Sequence, residues 1–235
     1  MENAHFQEGV MSGEHRVDFE KAKALLKKRL IDRLPEPGDF EAGLAGVTLH
    51  RKDHPTKAAC CLYRPVIIKM VQGHKRAWIG SEEYFYGENE VLVSGVDMPG
   101  VSMVCEASPE NPSTSIVIEL DKNLVAQLAL EMPPAQHISG SSARGLHVQR
   151  LEAEILDAYL RLAELLDKPE KLMILCLIFI RDIHYRLLAC PYGQRLRSFH
   201  TFGSQSGQVA RAIAWLKQNF GATVDIEELA EKVDM

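Results

Sequence analysis

The sequence predicts an α+β protein in which an antiparallel β-barrel or sandwich is followed by a helical region. Between Cys61 and Asp121, short apolar segments alternate with turn residues, a pattern typical of all-β sandwiches and barrels. From Leu151 the spacing of apolar residues changes from two to about 3.6, which is the period of an α-helix. This change of period separates the strands from the helices that follow.

Residues 1–40 are predicted to form a leader and one helix. Residues 1–12 show no periodicity, whereas Phe19–Leu34 places apolar residues on one face and basic residues on the other. We interpret the basic face as solvated surface, and a DNA-contacting surface is the alternative. Pro35 and Pro37 end this helix.

Residues 41–136 are predicted to form the barrel. A helix is expected after its last strand, because Asp121 can accept hydrogen bonds from the first-turn amides and Pro133 stops the helix. The Ser- and Gly-rich segment His137–Gly145 is expected to be the boundary loop. The predicted strands are Leu44–Leu49, Ala58–Leu62, Tyr63–Val71, Lys75–Ile79, Tyr84–Tyr86, Val91–Val93, Val101–Cys105 and Ser115–Leu120.

Residues 146–203 are predicted to form a helical connector. Leu151–Leu166 carries one apolar stripe, and Pro169 suits the first turn of the next helix. Leu172–Leu188 begins with nine apolar residues in succession, so its first turns have no polar side. Such a helix is buried either in its own core or by a partner. A short helix is expected at Tyr192–Phe199.

Composition excludes several classes of protein. The net charge of −5 gives no sign of a general affinity for nucleic acid or anionic membranes. No apolar run reaches the roughly 18 residues that span a bilayer, and no signal-peptide core is evident. The five cysteines include no Cys-x-x-Cys pair. We therefore expect reduced thiols in a cytoplasmic protein without membrane contact.

Two groups of motifs carry a family resemblance. The last stretch, VARAIAWLKQNFGATVDIEELAEKVDM, and the upstream segments YRPVIIKMVQGHKRAWIG, EASPENP, RGLHV and RDIHYRLLACPYGQRLR together resemble AraC/XylS-type transcriptional regulators. The resemblance implies a cupin-like barrel that senses an effector, a helical connector that dimerises, and two helix-turn-helix motifs. Residues 204–235 would be the truncated start of the helix-turn-helix domain.

The resemblance implies a DNA-binding helix-turn-helix unit, of which the sequence contains only the first helix. In a helix-turn-helix unit the second helix reads bases in the major groove, and the sequence stops at the end of the first. Residues 204–235 carry three basic against five acidic side chains. Operator DNA is therefore expected as a partner of the full-length regulator only.

The residues provide no recognisable catalytic or metal-binding motif. His74 lacks the second histidine of the His-x-His pair that metal cupins use, so no metal and no cofactor is expected. No nucleophile elbow, phosphate loop or dinucleotide fingerprint is present. The chain is expected not to be an enzyme. A metal-dependent cupin enzyme and a ligand-free oligomerisation module are the alternative functions.

Candidate effector contacts lie in the predicted barrel. Lys69 interrupts a strand of Val, Ile and Met, so it faces either the lumen, where it would meet an anionic effector, or solvent. The aromatic residues Trp78, Tyr84 and Tyr86 line a pocket or serve as core. Glu119 shares a strand face with Val117 near the last turn. These five residues form the predicted ligand site.

The all-round apolar helix provides the predicted dimer interface. One barrel face and one neighbouring helix would leave part of it uncovered, and exposed apolar area promotes association. A two-fold homodimer is the commonest solution. The predicted interface residues are Leu172, Leu175, Ile178 and Phe179.

Overall fold

The computed structural model describes residues 13–133, 145–190, 192–200, 205–219, 221 and 224–234. The predicted leader and most of the predicted boundary loop lie outside these residues. The described strands are β1 (Gly38–Glu41), β2 (Val47–Lys52), β3 (Ala59–Tyr63), β4 (Val66–Gln72), β5 (Lys75–Ile79), β6 (Glu82–Tyr86), β7 (Glu90–Ser94), β8 (Met98–Val104), β9 (Ser113–Glu119) and β10 (Leu146–Arg150). The described helices are α1 (Gly13–Arg33), α2 (Lys122–Glu131), α3 (Ala153–Leu166), α4 (Pro169–Ala189), α5 (Gly193–His200), α6 (Gln205–Gln218) and α7 (Ile226–Lys232).

The strands form two antiparallel sheets. The six-stranded sheet has the order β1-β2-β9-β4-β7-β10, and the four-stranded sheet has the order β3-β8-β5-β6. Side chains from both sheets, among them Met70 and Leu92 from one and Ala77 and Tyr86 from the other, form one buried cluster. The sheets therefore face each other, and the predicted α+β class with antiparallel sheets is confirmed.

Strand β4 is buried on both faces, which explains its nearly continuous apolar sequence. Val66, Ile68 and Met70 point into the space between the sheets. Ile67 and Val71 point the other way and pack in the core cluster that includes helices α1 and α3. Alternate residues of a strand point to opposite faces, so one strand contributes to two cores.

Helix α1 covers the outer face of the six-stranded sheet and packs against α3. Its apolar face buries Leu26 and Leu30 almost completely. The Arg29 guanidinium forms ion pairs with Glu164 at 3.2 Å and Asp167 at 3.0 Å. The predicted basic face is thus tied in part to the connector.

Strand β10 departs from the sequence-based prediction. Residues 146–150 were assigned to the helical connector, whose helical period begins at Leu151, but Leu146–Arg150 pairs with β7 and extends the six-stranded sheet. A five-residue strand at a sheet edge depends on its neighbour for its hydrogen bonds. Local periodicity is weak over such a length, so the partner strand decides the structure.

The last two helices have local signals that the sequence shows directly. Asp225 caps α7 by accepting hydrogen bonds from the amides of Glu227 and Glu228. Helix α6 contacts the barrel through an ion pair between Lys217 and Asp97 at 2.8 Å. Within the described part of the chain, no helix has the length and hydropathy needed to cross a membrane.

Candidate functional site

A cavity of about 460 Å³ lies between the two sheets. Both apolar and charged side chains line it. The six-stranded sheet contributes Thr48, His50, Val66, Ile68, Val117 and Glu119, and the four-stranded sheet contributes Cys61, Tyr63, Lys75, Tyr86 and Ser102.

Lys75 places an amine in this cavity. It opens strand β5, and Ala77 and Ile79, two and four residues later, pack in the cluster between the sheets. Alternation therefore turns Lys75 inward beside Tyr86, its cross-strand neighbour. No hydrogen bond or ion pair joins its Nζ to another of the described residues. Burial lowers the pKa of Lys75.

His50 is held in a fixed orientation on the opposite sheet. Its Nδ1 lies 2.8 Å from Oδ1 of Asp39, and its Nε2 lies 3.1 Å from Oγ1 of Thr48. Burial lowers the pKa of His50 although Asp39 opposes this shift. Burial also acts to raise the pKa of Asp39, but His50 and Lys52 outweigh it and keep that pKa below its usual value.

The apolar part of the wall suits the body of an organic ligand. Val66, Ile68 and Val117 come from β4 and β9, the two central strands of the six-stranded sheet. Tyr63 and Tyr86 face them from the other sheet, and burial raises the pKa of both phenols. Both therefore stay neutral and present mainly apolar ring surface.

Two of the five predicted ligand residues lie in the cavity wall, and three do not. Tyr86 and Glu119 line the cavity. Trp78 alternates with the inward residues Ala77 and Ile79, which places it on the outer face of the four-stranded sheet. Tyr84 packs at the edge of the inner cluster and donates a 2.6 Å hydrogen bond to Glu82, but it is not part of the cavity wall.

Lys69 faces neither the lumen nor solvent. It lies on the helix-covered face of β4 and is 1% exposed. Its Nζ donates hydrogen bonds to the carbonyl oxygens of Met70, at 2.5 Å, and Glu88, at 2.6 Å. The sequence offered solvent or lumen as alternatives because it gave no indication that α1 covers this face.

Sequence reasoning missed Lys75 and His50 as site residues. The alternation in KRAWI separates Lys75, Ala77 and Ile79 from Arg76 and Trp78, but the pattern alone does not say which set faces the lumen. The size of Ala77 is no signal either, because the cluster between the sheets also contains large side chains such as Tyr86 and Met70. Among the described residues, no group of three or more His, Cys, Asp or Glu side chains is placed to hold a metal ion.

Known proteins resemble this chain in sequence and in fold. The family model described as "AraC-type transcriptional regulator N-terminus" matches residues 43–195, well over half of the chain. No curated protein matches the chain at a significant level.

Two solved structures of ToxT share the fold. An apo point variant of ToxT from Vibrio cholerae has a TM-score of 0.51 at 10% identity, covering 82% of this chain and 72% of ToxT. Wild-type ToxT bound to an unsaturated fatty acid has a TM-score of 0.50 at 9% identity, covering 82% and 70%. The AraC-like activator CuxR has a TM-score of 0.39 at 14% identity, covering 84% and 69%. On the strength of the family match, this chain belongs to the AraC-type transcriptional regulators, of which it contains the N-terminal region.

Proposed function

We propose that the cavity between the sheets binds a small anionic effector with an apolar body, and that the chain is the effector-sensing and dimerising part of a cytoplasmic regulator. The observation that carries this proposal is the unpaired amine of Lys75 in a cavity with apolar walls. Burying an ammonium group without a partner is unfavourable. A bound carboxylate would supply the missing partner and restore the charged form.

The chemistry of the wall supports a carboxylate with an aliphatic body. Lys75 provides the charge, and Val66, Ile68 and Val117 provide a surface that an aliphatic chain can cover. ToxT, which has a similar fold, has been solved with an unsaturated fatty acid. A filled, ligand-free barrel is disfavoured, since the space between the sheets amounts to about 460 Å³.

Binding of a medium-chain carboxylate tests this proposal. Decanoate should bind the protein measurably by calorimetry, and decanol, which has the same chain without the charge, should bind at least tenfold more weakly because a charge-assisted hydrogen bond is lost, worth about 1.5–3 kcal/mol. Lys75→Met should bring the affinity for decanoate down to that for decanol. Lys122→Met, which removes an exposed lysine from α2, serves as the matched control.

Two results would contradict the proposal. One is equal affinity for decanoate and decanol, which would remove the role of the charge. The other is an unchanged decanoate affinity in Lys75→Met, which would place the ligand elsewhere.

Dimerisation is proposed to use one face of helix α4. Ile174, Leu177 and Ile178 are 74%, 70% and 59% exposed, and their spacing puts them on one side of the helix. Leu172 is 6% exposed and belongs to the chain's own core. Leu175 and Phe179 also pack against that core. Of the four predicted interface residues, Ile178 thus lies on the exposed face, and Ile174 and Leu177 join it in the revised proposal.

The C-terminal helices are proposed to begin the DNA-binding part. Residues 204–235 contain α6 and α7, and their sequence resembles the start of a helix-turn-helix domain. Operator DNA is accordingly proposed as a partner of the full-length regulator. The Lys217–Asp97 ion pair offers a physical contact through which the barrel can influence this part.

A further inference from the structure

A second cavity, of about 370 Å³, lies between helix α1 and one end of the barrel. The β4–β5 turn, the β6–β7 turn and the β8–β9 loop form its other walls. It shares no lining residue with the cavity between the sheets. Its lining residues include Lys27, Gln72, His74, Glu88 and Glu106.

Gln72 is the main reason to regard this cavity as a binding site. The side chain is 4% exposed, and neither its Oε1 nor its Nε2 has a hydrogen-bond partner among the described residues. Its cross-strand neighbour Thr114 is also fully buried with an unpartnered hydroxyl. Buried polar groups in native proteins nearly always have partners, so an unpaired amide on a residue of the cavity wall calls for an explanation.

The backbone directs Gln72 into this position. The register of β4 against β9 shifts between Met70 and Gln72, as in a β-bulge. Bulges redirect a side chain and are common next to functional sites. Gly73 follows with a φ of +81°, a conformation that suits glycine. The bulge and the glycine together turn the chain sharply at the cavity wall.

The charges of the wall come from separate elements. Lys27 lies on α1, Glu88 in the β6–β7 turn and Glu106 in the β8–β9 loop. No hydrogen bond or ion pair joins the side chain of Lys27 or Glu106 to another described residue. Glu88 accepts one hydrogen bond, at 3.3 Å, from the amide of Gly73. The cavity thus offers one cationic and two anionic groups that are not paired with one another.

The donor set favours an organic ligand over a metal ion. No group of three His, Cys, Asp or Glu side chains in the described part of the chain is suited to a metal. A primary amide presents both a donor and an acceptor, and a ligand that uses both must itself carry both. His74 is stacked on Phe85 at a centroid distance of 5.2 Å, which helps to hold this wall in place.

We infer that this cavity binds a zwitterionic α-amino acid, with the ammonium group against Glu88 and Glu106 and the carboxylate against Lys27. Both amide atoms of Gln72 are closed off from solvent in the free protein, so the side chain would turn toward the ligand on binding and make the two hydrogen bonds that it lacks. This site is separate from the proposed effector cavity, so the chain would respond to two different small molecules.

The test uses the free L-α-amino acids as probes in thermal unfolding and calorimetry. At about 5 mM, an amino acid with a Kd of tens of micromolar should raise the Tm by several degrees. The N-acetyl derivative of the best probe lacks the ammonium group, and its α-amide lacks the carboxylate. Both derivatives should bind at least tenfold more weakly if the two charges are recognised.

Variants separate binding from folding. Gln72→Leu should lose at least tenfold in affinity while its Tm without ligand stays equal to the wild type or rises, because an unpaired buried amide is removed. Lys27→Met should also lose affinity, and Lys28→Met, an exposed neighbour on α1, should not. Decanoate binding should be unchanged in Gln72→Leu, which keeps the two sites distinguishable.

Three outcomes would overturn the inference. The first is that none of the amino acids binds. The second is that Gln72→Leu and Lys27→Met bind the best probe as the wild type does. The third is that the N-acetyl and α-amide derivatives bind as well as the free amino acid, which would exclude a zwitterion-specific site.

Discussion

At the scale of single residues, Lys69 shows how burial changes a side chain's chemistry. Burial lowers its pKa to about 7, with Lys23 adding to the shift and Glu88 and Glu90 opposing it. A neutral amine still has two N–H groups, enough for the two carbonyl oxygens that accept from Lys69. The amine therefore remains fully hydrogen-bonded after it loses its proton.

The shift makes stability depend on pH. The folded-state pKa of about 7 lies below the ordinary value of 10.5, so between these values the unfolded chain binds more protons and stability rises with pH. We compare the free energy of unfolding of the wild type with that of Lys69→Met. Between pH 7 and 9, the wild-type value should increase by about 1 kcal/mol per pH unit relative to the variant's value. Urea denaturation at several pH values measures this difference. Lys122→Met should keep the wild-type slope, and parallel slopes for Lys69→Met and the wild type would refute the expectation.

At the scale of elements, His184 joins helix α4 to the start of α2. It is fully buried, and its Nε2 accepts a hydrogen bond from the amide of Asp121 at 3.1 Å. Its Nδ1 is assigned as the protonated nitrogen because it lies 2.8 Å from the carbonyl oxygen of Ile180. Asp121 in turn caps α2 through hydrogen bonds from Asn123 and Leu124. One neutral imidazole thus connects the connector helix to the end of the barrel.

Replacing His184 should weaken this junction in a pH-dependent way. Burial lowers its pKa from the ordinary value of 6.5, so the unfolded chain binds more protons just below that value and the wild type loses stability as the pH falls. We expect His184→Leu to destabilise the protein by about 1–3 kcal/mol at neutral pH, because the Asp121 amide loses its acceptor. The destabilisation caused by His184→Leu should be smaller at acidic pH. There the wild type itself is less stable, because its folded state keeps His184 neutral while the unfolded chain protonates it. Urea denaturation on both sides of the ordinary histidine pKa measures this, with the exposed His54→Leu as control, and a loss independent of pH would contradict the assignment.

At the scale of the whole molecule, helix α4 divides its apolar residues between two environments. Leu172 and Cys176 are buried in the chain's own core. Ile174, Leu177 and Ile178 remain on the exposed side of the same helix. Apolar burial is worth about 25 cal/mol per Å², so covering this side with a second copy would contribute substantially to association.

A single charge in this face should weaken a dimer. Leu177→Asp is expected to raise the dimer dissociation constant at least about tenfold, since one buried leucine contributes about 1.5–3 kcal/mol. Light scattering across a protein concentration series measures the dissociation. Ile226→Asp, which changes an 80% exposed isoleucine on α7, is the matched control. A monomeric wild-type protein would contradict the dimer, and a Leu177→Asp dimer of unchanged strength would place the interface elsewhere.

The sequence predicted where strands β4 and β5 lie but not which face of each strand points inward. The apolar, β-branched run of β4 and the turn residues around β5 predicted both strands, and the capping residue Asp121 predicted the start of α2. Which face of each strand meets the cavity could not be predicted, because alternation defines two faces without naming the inner one. For this reason Lys69 was chosen as a site residue and Lys75 was overlooked.

By itself the sequence determined the α+β class, the order of most elements and the regulator family, because these depend on local periodicity, capping residues and motifs. Tertiary structure decided the remaining features. The pairing of β10 with β7, the burial of Lys69 under α1 and the entry of Lys75 into the cavity each depend on segments far apart in the chain. Burial and hydrogen-bond partners are properties of such contacts, so they follow from packing and not from the residue's own neighbours in sequence.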